Sequence, residues 1–267
     1  MADIVDRLET VTRDFDDALF IGAGSLADML TPACGVRRVA AADLAAGRLP
    51  RSGARFVMDE ERSPIAPASF DLIVSLLTLH GVNDIIGALA QARLALKPDG
   101  LFLAALFGGE TLRELKTALL VAESEISGGA SARIPPFPDA RALGQAMQRA
   151  GFALPVVDID GVDIRYRNAA RLFKDLKGIG EAGVLAARSR RLARGARDRA
   201  LDLLGEVGAA SKPTKTAAAR LCDAFARGSG EGRAPGLGKT PNLSIPVPQG
   251  FCMASPTFEY IVEVEFT

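Results

Sequence analysis

The chain has 267 residues, 48% of them apolar, with 32 Lys plus Arg balanced by 32 Asp plus Glu; that excludes a protein built mainly to coat nucleic acid and leaves enough chain for a sizeable core. Three cysteines without a C-x-x-C pair exclude a cysteine-rich zinc site and a disulfide framework, and they suit a reducing compartment. A single histidine excludes an H-E-x-x-H site, a three-histidine zinc site and a two-histidine-one-carboxylate iron site.

Met1 to Glu9 is acidic and amphipathic, without the apolar centre of a signal peptide, and no run approaches the ~18 apolar residues of a membrane span. A cytoplasmic protein with no transmembrane segment is expected. Leu8, Val11 and Phe15 are expected on one face of a leading helix. Ala18 to Ile21 is an apolar run halted by Gly22-Ala23-Gly24, the pattern of a buried strand ending in a glycine turn. Ser25 is a plausible N-cap for a helix carrying Leu26, Met29 and Leu30. Arg38 to Ala42 predicts a second strand closed by Asp43. Ala54 to Met58 predicts a third, followed by Asp59-Glu60-Glu61. Phe70 to Leu77 predicts a fourth, apolar enough to be central. Ile85 to Leu96 has helical spacing, Lys97 to Gly100 reads as a turn, and Leu101 to Phe107 as a fifth strand.

This alternation predicts an α/β fold, a Rossmann-like doubly wound and mostly parallel sheet in one domain. Beyond it, two helices are expected around the proline-rich loop at Ile134 to Pro138, and a strand pair at Phe152 to Ile159 and Val162 to Tyr166. Residues 169–227 read as a helical insertion and residues 229–250 as a Gly/Pro-rich loop, before a last strand at Thr257 to Phe266.

Two glycines between a strand and a helix let a ligand approach the backbone at a helix N-terminus. Asp43 follows Gly24 by 19 residues, at the end of the next strand, where an acid hydrogen-bonds ribose hydroxyls in nucleotide-binding folds. Asp59 ends the third strand at the same edge. Each feature alone fits a tight turn or a solvated acid; together they favour a nucleotide-like ligand. Gly236 to Thr240 is no phosphate loop, because position 233 is Arg and Pro241 follows at once. Arg188, Arg190, Arg191, Arg194, Arg197 and Arg199 interleave with Ala193, Ala196, Ala200, Leu203 and Leu204, which gives a solvated helix face or a docking surface for an acidic partner. His80, just after the fourth strand, is either a proton acceptor near neutral pH or a packed core imidazole.

Three segments carry a family resemblance: Ser69 to Ser75, Leu79 to Asp84, and Leu96 to Phe102. They resemble class I S-adenosylmethionine-dependent methyltransferases, more closely the branch that holds the malonyl-carrier-protein methyltransferase and a mitochondrial complex I assembly factor that modifies an arginine. The runs Phe107 to Leu115 and Arg149 to Asp158 look especially like the assembly-factor subgroup and its bacterial relatives. The resemblance spans about residues 4–180. It implies the methyltransferase type of sheet and S-adenosyl-L-methionine as cofactor. Gly22, Ala23 and Gly24 would face its methionine part. Asp43, with Leu44 beside it, would take the ribose hydroxyls. Asp59 would lie by the adenine amine, and Ser75, Leu76 and Leu77 beside the donor methyl. His80 is the catalytic candidate, no metal ligand is expected, and the acceptor would be protein or carrier-bound, not nucleic acid. The family motif has an acid where this chain has Phe20, a glycine where it has Leu26, and a tryptophan where it has Gly81. A non-catalytic assembly module built on the same fold is therefore the alternative. Oligomeric state is left open.

Overall fold

The computed structural model describes residues 2–22, 24, 26, 35–159, 161–164, 166, 168–181, 185, 191–210, 257–258 and 261–265. They form two compact units, Met1–Thr111 with Pro136–Gly161 and Phe258–Thr267, and Leu112–Pro135 with Val162–Thr257.

The first unit opens with α1 (Ala2–Thr10) and β1 (Phe15–Ile21). Then come β2 (Val36–Asp43), β3 (Ala54–Val57), β4 (Phe70–Leu76), α2 (Ile85–Ala95) and β5 (Leu96–Ala105). After α3 (Arg113–Ser127), which belongs to the second unit, the first resumes with α4 (Ala140–Arg149) and β6 (Leu154–Asp158). The second unit adds β7 (Val162–Asp163), α5 (Ala169–Ile179) and α6 (Arg194–Ala210). β8 (Thr257–Phe258) pairs with β7, and β9 (Ile261–Glu265) returns to the main sheet.

That sheet has seven strands in the order β3-β2-β1-β4-β5-β9-β6. The first five are parallel, and β9 runs antiparallel to both its neighbours. The doubly wound expectation holds. The order reverses between β1 and β4, and a crevice opens outside the carboxyl ends of strands at such a switch point.

The sheet buries both faces, which explains the near-continuous apolar runs of β1 and β4. Leu19, Ile21, Ile73, Phe102 and Ala104 face the side covered by α2 and α4, and Ala18, Phe20, Val74, Leu101 and Leu103 face the side covered by α1. α1 contributes Ile4 and Leu8, one turn apart and each 1% exposed. Val11 lies beyond that helix and Phe15 opens β1, so the short leading helix expected to carry all three does not reach Val11 or Phe15. Helices start where short polar side chains can take a free amide. Asp84, Asp139 and Asn168 accept from the amides of Gly87, Ala142 and Arg171, which caps α2, α4 and α5.

Two local expectations change. The segment Lys97 to Gly100 is an irregularity within β5, where the register against β4 shifts between Phe70 and Leu72. β6 pairs with β9 along its whole length and not with the segment after it. α6 starts at Arg194, with Ala196, Ala200 and Leu204 buried, while Ala193 is exposed. In the second unit Arg199 pairs with Glu125 at 2.9 Å, and Glu123, 5% exposed, binds Arg133. Arg188, Arg190, the remainder of the expected helical stretch to 227, and the loop at 229–250 lie outside the described residues.

At the amino-terminal edge of the sheet, Lys97 Nζ lies 3.0 Å from Asp71 and 3.2 Å from Asp17, and Arg38 closes on Asp17 at 2.7 Å. Burial pushes the Asp17 carboxyl up, but the hydrogen bonds and charges of Lys97 and Arg38 outweigh it and hold the carboxyl below its ordinary range. A lowered carboxyl stabilises the fold above the ordinary carboxylate range and loses that contribution as pH falls through its folded value. Replacing Lys97 by Met is expected to lower the melting temperature by a few degrees at neutral pH. The difference from wild type should close as acid protonates Asp17, which thermal scans across pH will show.

Candidate functional site

β1 is hydrogen-bonded on both sides, and its last residue, Ile21, stands level with Ala42 of β2 and Ser75 of β4. Three strand ends therefore meet at one edge. The Gly22 amide donates to Ala42 O at 3.0 Å, and the chain turns away with φ +81° at Gly22 and +52° at Gly24. A Cβ at Gly22 would collide with Thr78 Cγ2 and lie 2.6 Å from Leu76 O; at Gly24 it would lie 2.8 Å from Arg48 O. Both glycines are required by the chain's own neighbours as well as by handedness. That is a different reason from the ligand approach expected from the sequence. Ala23 and the helix expected after Ser25 lie outside the described residues.

Asp43 ends β2 beside this turn and is 4% exposed. Its Oδ1 accepts from the Ala45 amide at 2.8 Å. Its Oδ2 is buried and has no hydrogen-bond partner among the described residues. A buried carboxylate oxygen without a donor costs on the order of 1–3 kcal/mol or more, and native proteins keep such atoms for a reason. The next residue, Leu44, holds its side chain out to solvent at 72% exposure. Asp59 is also exposed; its Oδ1 accepts from the Glu61 amide at 3.0 Å and caps a short 3-10 turn over Glu60–Arg62. A carboxylate lacking a donor, next to an apolar surface and a glycine turn, fits a group that offers hydroxyl donors and a flat apolar face, as a nucleoside does.

On the other side of the turn, Ser75 is 1% exposed, and its Oγ donates to Glu60 Oε1 at 3.0 Å and lies 2.9 Å from Thr78 Oγ1. Burial pushes the Glu60 carboxyl up, the hydrogen bonds from Thr78 and Ser75 partly oppose this, and the charges of Asp59 and Asp43 add to the rise. The Leu76 side chain packs into the core, so only its backbone reaches the edge. Leu77 takes a left-handed conformation, φ +55°, and its amide donates to Ala105 O at 2.7 Å. Glu60 and Thr78 were invisible as site residues in the sequence, since their link to Gly22 is tertiary and carries no spacing signal. His80 is 7% exposed, with its ring 4.4 Å from that of Phe107 and 5.7 Å from that of Phe137. It stands at the same carboxyl edge, packed between aromatic rings.

Residues 3–155 match the family model for the methyltransferase domain. The chain belongs to that family. It is 41% identical over 187 residues to the mitochondrial arginine-hydroxylase NDUFAF5 of Rattus norvegicus, a match covering 67% of this chain and 54% of the rat protein. It is 33% identical over 134 residues to the malonyl-[acyl-carrier protein] O-methyltransferase of Methylovorus sp. strain MP688, covering 50% and 43% of the two chains. The chain thus spans about half the length of these curated relatives. In fold it is similar to the YcgJ protein of Bacillus subtilis, with a TM-score of 0.55 at 14% identity and full coverage of both chains.

Within this methyltransferase domain, the two departures near the glycine turn fall on the core. Phe20 is 1% exposed and packs with Ile4, Leu8, Val74 and Leu76, and Leu26 is half-buried against the same cluster. The Phe20 ring is thus committed to the interior on the α1 side. Among the described residues no group of three or more His, Cys, Asp and Glu side chains is placed to hold a metal ion. Likewise, no described helix is long and apolar enough to cross a membrane. Gly22→Ala combines a disfavoured φ with the collision against Thr78 and is expected to destabilise the domain by about 2–4 kcal/mol, readable in denaturant melts.

Proposed function

We propose that this chain binds S-adenosylmethionine at the carboxyl edge of β1, β2 and β4 and transfers its methyl group to a protein or carrier-bound acceptor. The observation that carries this is the buried Oδ2 of Asp43, without a hydrogen-bond partner among the described residues, beside the Gly22–Gly24 turn. When bound, S-adenosylmethionine supplies a methyl group already activated by its sulfonium, so the protein's work is alignment and exclusion of water. Asp43 would accept the two ribose hydroxyls, and Leu44 would cover the nucleoside with its exposed side chain. Asp59 would lie toward the adenine amine. Gly22, Ala23, Gly24 and the backbone at Ser75 and Leu76 would border the methionine end. The carboxylates of Asp43 and Asp59 give this edge a negative potential that favours a cation. His80 would take a proton from the acceptor where that acceptor enters protonated.

The acceptor class rests on the two relatives, one named for a carrier-protein substrate and the other for arginine hydroxylation. The second unit, with residues 169–227, would be a helical insertion into one methyltransferase-like domain and the place where a protein acceptor docks. A cytoplasmic setting is part of the same proposal, supported by three cysteines with no pairing pattern. The other reading, a methyltransferase-like assembly module without turnover, is favoured by Phe20, which stands two residues before Gly22 where the family resemblance implies a carboxylate.

Isothermal titration with S-adenosylmethionine and S-adenosylhomocysteine separates the two. Wild type is expected to give binding heat, and Asp43→Ala to bind at least tenfold more weakly, as loss of hydrogen bonds to a charged acceptor worth ~1.5–3 kcal/mol requires. No heat at high protein concentration would replace the enzyme reading by the assembly reading.

A further inference from the structure

We propose that Glu60 and Thr78 are positioning residues that together hold the Gly22 turn in the shape the nucleoside needs. This rests on the binding reading above. Thr78 sits where β4 ends: Leu77 turns the chain in a left-handed conformation and is tied to Ala105 O of β5, which delivers the Thr78 side chain to Gly22. The space that any other residue at position 22 would fill with Cβ is taken by Thr78 Cγ2. That methyl is the wall against which the turn rests.

What keeps it there is the hydroxyl on the same carbon. Ser75 Oγ donates to Glu60 Oε1, and the Thr78 hydroxyl, 2.9 Å from Ser75 Oγ, is hydrogen-bonded to Glu60 as well. The two hydroxyls converge on one acceptor, and Glu60 is that acceptor. A threonine has one Cβ carrying both groups, so fixing the hydroxyl fixes χ1 and with it the methyl. Glu60 thus selects the Thr78 rotamer that supports Gly22, without touching the turn itself. Its surroundings fit the part: Ser75 is fully buried, and the charged groups that act on Glu60 are the carboxylates of Asp59 and Asp43.

The arrangement makes an unusual set of demands. A glutamine at 60 still offers an acceptor oxygen, whereas an alanine does not. A valine at 78 has no hydroxyl to orient, yet presents a methyl to Gly22 in more than one rotamer. The test is S-adenosylhomocysteine binding by titration calorimetry to folded wild type, Glu60→Gln, Glu60→Ala, Thr78→Val, Thr78→Ser and the Glu60→Ala/Thr78→Val double variant. Glu60→Gln and Thr78→Val should bind within about threefold of wild type, and Glu60→Ala and Thr78→Ser about tenfold more weakly, the scale of one buried hydrogen bond or lost packing contact. In the double variant Thr78→Val should restore binding to within about threefold of Thr78→Val alone, a coupling that a merely destabilising loss of Glu60 would not produce. If wild type gives no heat, the nucleoside-binding reading falls and this inference with it. If wild type binds and Glu60→Ala binds as tightly, or Thr78→Val fails to rescue it, the binding reading stands and the positioning role is overturned.

Discussion

The site depends on where β1 stops. That strand is clamped by parallel hydrogen bonding to β2 on one side and β4 on the other, and Ile21 is the last residue to share in both ladders. The level at which the ladders end decides that Gly22, Asp43 and the Ser75–Thr78 corner face one another across a few ångströms of sheet edge. No side chain in the site has to be long, because the backbone has already carried each to its place. The apolar runs that make β1 and β4 central strands are therefore also what assembles the polar edge: Leu19, Leu72, Ile73 and Val74 fix the register through burial, and the register fixes the site.

Local pattern made much of this legible. The glycine turn after an apolar run, and the acid closing the next strand, are written within about twenty residues of each other. The corresponding features appear at Gly22, Gly24 and Asp43. The helix over Ile85–Ala95 is readable from its own spacing, whereas the caps Asp84 and Asp139 come from the structure and the expected cap Ser25 lies outside the described residues. What the sequence concealed are the relations between distant segments. Nothing near Gly22 announces that Thr78 fills its missing side chain, and nothing near Glu60 marks it off from the acids on either side. The pairing of β6 was misjudged for a related reason: its nearest strand in sequence is not its neighbour in the sheet, and β9 arrives from about a hundred residues later. The spacing of Leu8, Val11 and Phe15 suits one short helix, yet Phe15 is the first residue of β1. An apolar side chain every three or four residues does not say where a helix gives way to a strand.

The edge also concentrates conformations that a stability-optimised domain would avoid. Asp43 carries a buried oxygen with no donor among the described residues, Leu77 a left-handed backbone without the excuse of glycine, and Gly22 a turn that tolerates no side chain. Each is unfavourable by about 1–3 kcal/mol, and strain of this kind persists only where the surroundings over-determine it. Here the surroundings are two well-packed core faces. Phe20 belongs to that support: the family resemblance implies a carboxylate at this position, and this chain uses it for core packing.

The position of β9 has a bearing on how the molecule is made. It is the link between β5 and β6, yet it comes from residues 261–265, about a hundred residues after β6. While the polypeptide leaves the ribosome, the five parallel strands can assemble, but β5 must wait as an open border and β6 lacks its neighbour in the sheet. Only after residues 261–265 have emerged can the sheet be sealed. Such long-range closure is slow and leaves a sticky rim in the interval, so synthesis of this protein carries a window in which a chaperone has something to hold.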